Sequence, residues 1–325
     1  MEIEPPSLND VLLARRRIAA YLEPTAMIRP QALAQRLGAD VALKLENLQP
    51  VGAFKVRGGL NLVGAEREAL VGRRLFAAST GNHGQSIAYA ARTFGLRATI
   101  YAPEGANPLK VAAIDALGAE VVLTGKDFDA AREACEAAAA AAGGRYVHSM
   151  NEPLLVAGVG TLYLEALERM PDVDVVIVPV GGGSGLAAAG LVVKALAPAA
   201  TVIGVQAEGA PAFERSFRSG RPEGTERAET RAEGLATRQA FALPLAMARR
   251  YVDDIVLVAD TEMDEAMRIL LEDAHIVAEM AGAASLAAAR RLGPRLAGRR
   301  VLLVVSGGNA TLAQLAALFQ GTGGA

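Results

Sequence analysis

Four short segments hold the residue types that could do chemistry. They are Gly52-Ala53-Phe54-Lys55-Val56-Arg57-Gly58-Gly59, Ser79-Thr80-Gly81-Asn82-His83-Gly84, Gly181-Gly182-Gly183-Ser184-Gly185 and Ser306-Gly307-Gly308-Asn309. In the first, Lys55 stands among apolar neighbours between glycines. Burial lowers a lysine pKa from ~10.4 towards neutrality, the state that Schiff-base chemistry requires. The alternative is a lysine whose stem packs while its ammonium reaches water. The second segment offers hydroxyls and backbone N–H groups at a strand-to-helix switch. That geometry suits a carboxylate, and it equally suits ordinary helix capping. The third follows the apolar run Val175-Val176-Ile177-Val178-Pro179-Val180. Glycines there free N–H groups at a helix N-terminus and make an anion site, or simply a tight turn without a ligand. The fourth follows Val301-Leu302-Leu303-Val304-Val305 and either presents the Ser306 hydroxyl to a ligand or only turns the chain.

Other chemistries fit less well. The three histidines, His83, His148 and His275, lack metal-binding spacing. Gly182-x-Ser184-x-Leu186 lacks the last glycine of a hydrolase elbow. Gly183-x-Gly185-x-x-Ala188, with Glu208 beyond the next strand, matches the loose dinucleotide fingerprint. A dinucleotide-dependent oxidoreductase and a non-catalytic ligand-binding module therefore stand as alternatives. Cys135 has Glu133 and Glu136 beside it, and these acids are expected to raise its pKa and leave it structural.

The elements that must position these segments follow from patterning. Strands are expected at 41–45, 75–78, 98–101, 120–123, 145–148, 175–179, 201–205, 254–258 and 299–305. Helical stretches such as 83–94, 109–117 and 128–142 alternate with them. That rhythm predicts an α/β fold of two open, twisted, mostly parallel sheets flanked by helices, with ligands beyond the carboxyl ends of the strands. The charge-dense stretch 214–233 reads as a solvated loop, or one that closes over a site.

Composition narrows the function classes. The chain has 325 residues, a net charge of −2 and 52% apolar residues, which excludes a disordered protein. Aromatics are 4% and tryptophan is absent, so neither a basic surplus nor stacking residues point to nucleic acid. The N-terminus lacks the basic start and apolar core of a secretory leader. The uncharged run 175–193 is broken by Pro179 and by glycines, which argues for a strand, turn and helix and against a membrane span. One cysteine forms no internal disulfide, and the expectation is a cytoplasmic protein.

Taken in order, the four segments resemble the pyridoxal-phosphate enzymes of the tryptophan-synthase β fold (fold type II), and within them the threonine/serine dehydratases and serine racemases. The segment from Leu45 to Gly59 resembles their Schiff-base lysine region, Ser79 to Gln85 their substrate-carboxylate loop, Pro179 to Gly185 their phosphate cup, and Val305 to Asn309 their pyridine-nitrogen corner. Glu279-Met280-Ala281-Gly282-Ala283 and Ala157-Gly158-Val159-Gly160-Thr161 match further signatures, and the likeness spans about residues 10–315.

The resemblance implies that Lys55 holds pyridoxal 5′-phosphate as a Schiff base and then removes the substrate's Cα proton. It implies that Ser79, Thr80, Asn82 and His83 bind the amino-acid carboxylate, with Asn82 also touching the cofactor. Phe54, Gly181, Gly182, Gly183, Ser184, Gly185, Glu279 and Ser306 would complete the cofactor site, Ser306 at the ring nitrogen. Thr80 aligns with the second base of the racemases. A neutral hydroxyl at the ring nitrogen weakens the electron sink, which favours loss of a β-substituent over transamination.

The implied activity is α,β-elimination from threonine or serine, giving a 2-oxo acid and ammonia in a homodimer. A hydroxyectoine-pathway dehydratase and an amino-acid racemase are alternatives on the same fold. Gln206 and Ala212 replace the acids of metal-activated relatives, so no divalent site is expected, and sixteen residues after Asn309 leave no room for a regulatory domain. The expected division is a large cofactor-binding domain, 1–63 with 147–325, and a small mobile domain, 64–146, carrying the carboxylate loop.

Overall fold

The computed structural model describes residues 3–79 and 81–319. The strands are β1 (Met27–Ile28), β2 (Asp40–Leu45), β3 (Leu75–Ala78), β4 (Ala98–Ala102), β5 (Glu120–Leu123), β6 (Arg145–Tyr146), β7 (Val175–Pro179), β8 (Thr201–Ala207), β9 (Asp254–Val258) and β10 (Arg300–Val305). The helices begin with α1 (Leu8–Ile18), α2 (Gln31–Leu37), α3 (Lys55–Ala65), α4 (Asn82–Thr93), α5 (Pro108–Asp115), α6 (Phe128–Ala141) and α7 (Pro153–Arg169). They continue with α8 (Ser184–Leu196), α9 (Ala212–Ser219), α10 (Ala242–Tyr251), α11 (Asp260–Ala274), α12 (Met280–Leu292) and α13 (Leu312–Ala317). No helix among the described residues is long and apolar enough to cross a membrane.

The chain forms two compact units. The first comprises the residues up to Glu23 together with Lys55–Thr161, and the second comprises Pro24–Phe54 and the residues from Leu162 onward. These boundaries differ from 63/64 and 146/147 because α3 packs inside the first unit. A Cβ at Gly58 would press on Leu155 O at 3.0 Å, and Asn61 Nδ2 donates to Leu154 O at 2.7 Å.

Each unit has its own sheet, as the alternating pattern predicts. The second unit holds the order β1-β2-β10-β7-β8-β9, parallel except for the antiparallel β1 edge. All five residues of β7 are buried, as are the last five of β10, so these strands are covered on both faces and read as unbroken apolar runs. The first unit holds β5-β4-β3-β6, all parallel.

Two expectations need correction. The stretch 214–233 is not loop throughout, because Ala212–Ser219 is helix α9, with Phe213 and Ser216 on its buried face. Cys135 is buried and its thiol is pushed up to about 12, but desolvation is the larger cause, with Glu136 second.

Candidate active site

In the first unit, α3 opens with Lys55 and α4 opens with Asn82, directly after the Ser79 loop. Helices α3 and α4 meet through small residues. Ser86 Oγ donates to Lys55 O at 2.6 Å, and a Cβ at Gly59 would run into the backbone carbonyl carbon of Ser86 at 3.0 Å. Glycine at 59 thus lets the helix carrying the amine approach the helix carrying the loop. Desolvation alone pushes the Lys55 amine down to about 8. A lowered pKa leaves more of the amine in the neutral form that acts as nucleophile and base, while the residue as a whole is half-buried.

Ser79 is buried at the carboxyl end of β3, and its hydroxyl accepts from Gly81 N at 3.1 Å. Helix α4 follows Gly81, which has no side chain with which to cap it. His83 is 6% exposed, and its Nε2 lies 3.4 Å from Val147 O. Desolvation, followed by the positive charge of Lys55, pushes its pKa down to about 3. His83 is a neutral imidazole at any working pH and offers a ligand hydrogen bonds without charge. Thr80 lies outside the described residues.

The second unit assembles the remaining residues. Strand β7 ends at Pro179, the turn follows, and α8 starts at Ser184. Gly183 has φ +94°, the left-handed region where glycine carries no steric penalty, and a Cβ there would overlap the Phe213 ring and Pro244. A Cβ at Gly181 would overlap Gly234 O, and Thr237 Oγ1 donates to Gly181 O at 3.2 Å. Ser184 is buried, and Tyr163 OH donates to Gly185 O at 3.0 Å. The result is a narrow cradle of backbone amides and one hydroxyl at a helix N-terminus, which fits a phosphate.

Beside this cradle, Phe54 N donates to Ser306 O at 3.1 Å, and the Phe54 ring comes within 3.6 Å of a Cβ built on Gly185. Glu279 N donates to Gly307 O at 3.0 Å, and its carboxylate lies against the Gly307 α-carbon. Ser306 is 8% exposed and its hydroxyl faces Ala281 O at 3.5 Å. Phe54, the cradle, Glu279 and Ser306 are thus gathered in one unit, and Lys55, Ser79, Asn82 and His83 in the other. The second unit's amide cradle and neutral hydroxyl are donors of the kind a phosphate and a pyridine nitrogen take, and the first unit's Lys55 is an amine of lowered pKa, so each unit by itself carries groups that fit pyridoxal 5′-phosphate.

Several residues escape a reading of the sequence. Glu46 is fully buried, accepting from Thr25 Oγ1 at 2.6 Å and Gln49 Nε2 at 3.1 Å, while Lys44 Nζ reaches Thr25 O at 2.9 Å and Glu165 at 2.5 Å. This network fixes the segment that leads to Phe54. Phe213 and Thr237 shape the cradle, and only the glycine opposite each hinted at a close neighbour. Gln206 is buried and its Oε1 accepts from Glu214 N at 2.9 Å, so a carboxamide fills this position. Glu208, the acid of the dinucleotide reading, is instead ion-paired with Arg291 at 2.9 Å.

Known proteins are similar to this chain in sequence and in fold. The family model described as pyridoxal-phosphate dependent enzyme matches residues 18–307. The L-threonine ammonia-lyase of Thermotoga maritima is 40% identical over 304 residues, 93% of this chain and 75% of that protein. The L-threo-3-hydroxyaspartate ammonia-lyase of Saccharomyces cerevisiae is 34% identical over 316 residues, 97% of this chain and 97% of that protein. The crystal structure of a T.th. threonine deaminase is similar with a TM-score of 0.89 at 38% identity, over 94% of this chain and 99% of that one.

Proposed function

The chain belongs to the family of pyridoxal-phosphate dependent enzymes, and from that premise we propose that it performs α,β-elimination on a β-hydroxy α-amino acid, threonine or serine: water leaves, the enamine tautomerises, and hydrolysis takes the water back to release ammonia and a 2-oxo acid. The two curated relatives described above are named for loss of ammonia from substrates of that class. One observation carries the reading for this chain: a lysine amine at about 8 and a serine-asparagine-histidine loop sit on two helices packed through Gly59 and Ser86.

Pyridoxal phosphate, when bound, supplies the electron sink that makes the substrate's Cα proton removable. Lys55 would hold the cofactor, and its neutral amine would take the Cα proton. The amides of Gly181, Gly182 and Gly183 and the hydroxyl of Ser184 would hold the phosphate, with Gly185 in the same turn. Phe54, Glu279 and Ser306 would complete the cofactor site, Ser306 through a neutral hydroxyl. Ser79, Asn82 and His83 hold the carboxylate by hydrogen bonds. Thr80 keeps its sequence-based assignment to the same loop, as the second base of any accompanying racemisation. We further propose a cytoplasmic homodimer without a divalent site at Gln206. Residues 64–146, the part that carries the loop, are assigned mobility against 1–63 and 147–325.

The test is direct. Purified protein given pyridoxal phosphate is expected to absorb in the visible range, to keep the label on Lys55 after borohydride, and to release 2-oxobutyrate from threonine or pyruvate from serine. Protein that stays colourless, or releases no 2-oxo acid from any β-hydroxy amino acid, overturns the reading.

A further inference from the structure

We propose that Gln206 positions the phosphate cradle, by capping helix α9 and so fixing Phe213 over Gly183. The inference rests on the cofactor reading above, which gives Gln206 no part in holding the phosphate. Helix α9 begins without a cap of its own. Pro211 precedes it and makes no side-chain hydrogen bond to its first turn, where backbone N–H groups have no partner inside the helix. Glu214 N finds one outside it, donating at 2.9 Å to Gln206 Oε1, eight residues back near the carboxyl end of β8. Gln206 is 0% exposed, so bulk water does not compete for that amide.

The carboxamide fits only one way round. Turned over, it would set its NH2 group against the Glu214 N–H, donor against donor. Its Nε2 is thereby fixed as well, and it is buried with no hydrogen-bond partner among the described residues. An unpaired buried N–H costs stability, so the oxygen is the end of this side chain with a task. That task bears on the residue just before Glu214. Phe213 is fully buried, and a Cβ built on Gly183 would overlap its ring. Gly183 has φ +94° and stands directly before Ser184, the first residue of α8. The ring therefore presses on the turn whose amides form the cradle. The later part of α9 is tied separately, since Glu223 N donates to Ser216 Oγ at 2.8 Å and Arg218 pairs with Asp254 at 2.6 Å. Loss of the cap thus loosens the turn that carries Phe213 and leaves the rest of the helix anchored.

The experiment compares pyridoxal phosphate with pyridoxal, which lacks the phosphate, in equilibrium titrations of the full chain. Gln206→Met keeps the length of the side chain and removes the acceptor. It is expected to weaken pyridoxal phosphate about tenfold, the scale of one buried hydrogen bond, and pyridoxal no more than about twofold. Gln206→Glu keeps an oxygen at that position and is expected to hold pyridoxal phosphate within about threefold of the parent. Equal weakening of both ligands by Gln206→Met, no weakening of pyridoxal phosphate, or no rescue by glutamate overturns the assignment. Phe213→Leu is expected to give a phosphate-selective loss of similar size, to which Gln206→Met adds no more than about twofold. Fully additive losses in the double variant overturn the route through Phe213, and with it the proposal. Should Gln206→Met fail to fold, Phe213→Leu carries the test, and the absence of a phosphate-selective loss there is equally fatal. A phosphate preference that depends on Gln206, in a protein that releases no 2-oxo acid, overturns the elimination reading and leaves Gln206 standing. Release of 2-oxo acid by a protein whose phosphate preference ignores Gln206 does the reverse.

Discussion

The glycines at 181 and 183 and those at 81 and 84 serve different physical ends. At the cradle, a side chain is forbidden by fixed atoms. Gly181 faces a backbone carbonyl, and Gly183 combines a left-handed φ with an aromatic ring overhead. At the loop, the neighbours of Gly81 are the end of a lysine side chain, and those of Gly84 are the tips of Ile100 and Ile114. The cradle is a mould for an invariant shape. The loop and the start of α3 form an electrostatic region, where burial moves Lys55 and His83 well below their ordinary pKa values. One region is thus shaped by fixed atoms and the other marked by shifted charge states, and this difference can be attacked from either side.

The largest effect is expected at the charge-state side. Lys55→Ala removes the group that holds the cofactor and moves the proton, and should lower kcat by more than about 10³-fold. Circular dichroism and the thermal midpoint should stay close to those of the parent. Retained turnover would dissolve the distinction between the two regions. A smaller effect is expected at the mould. Gly183→Ala introduces left-handed strain and overlap with Phe213, together worth about 3 kcal/mol, or roughly a hundredfold in cofactor affinity. Equilibrium titration with pyridoxal phosphate measures it, and an unchanged affinity would mean that the cradle is not a mould.

The smallest effect is a pH course. Because the folded Lys55 pKa is lowered to about 8, the neutral, reactive amine dominates above that pH and becomes scarce below it. The rate at which cofactor-free protein takes up pyridoxal phosphate should therefore rise about tenfold between pH 7 and 9 and then level off. A rise continuing to pH 10.5 would show an ordinary lysine. Gly183→Ala should leave this course unmoved, which separates the two regions in a single protein.

Much of this architecture is readable in the chain. Strand β7 starts and stops where its apolar run does, since a strand buried on both faces has no other signature, and β5 and β9 occupy the expected 120–123 and 254–258 although neither is fully buried. The four glycine corners are legible for a similar reason, because backbone shape is written in glycine. Strand β1 has two residues and one antiparallel neighbour, too few for any period. Helix α9 hides because Glu214, Arg215 and Arg218 dominate its composition while only Ala212, Phe213 and Ser216 mark its inner face. The neutrality of His83 depends on what covers it, and contacts distant in sequence leave no local trace.

The contact of Gly59 with Ser86 acts as a ruler. It sets the separation between the start of α3 and the head of α4, and under the proposed elimination that distance would gauge the span from Cα to carboxylate that every α-amino acid shares. Nothing in that measurement reads the side chain. A lineage could exchange one β-hydroxy substrate for another by altering residues elsewhere, with the gauge untouched. A change at 59 or 86 would blunt activity towards all of them alike.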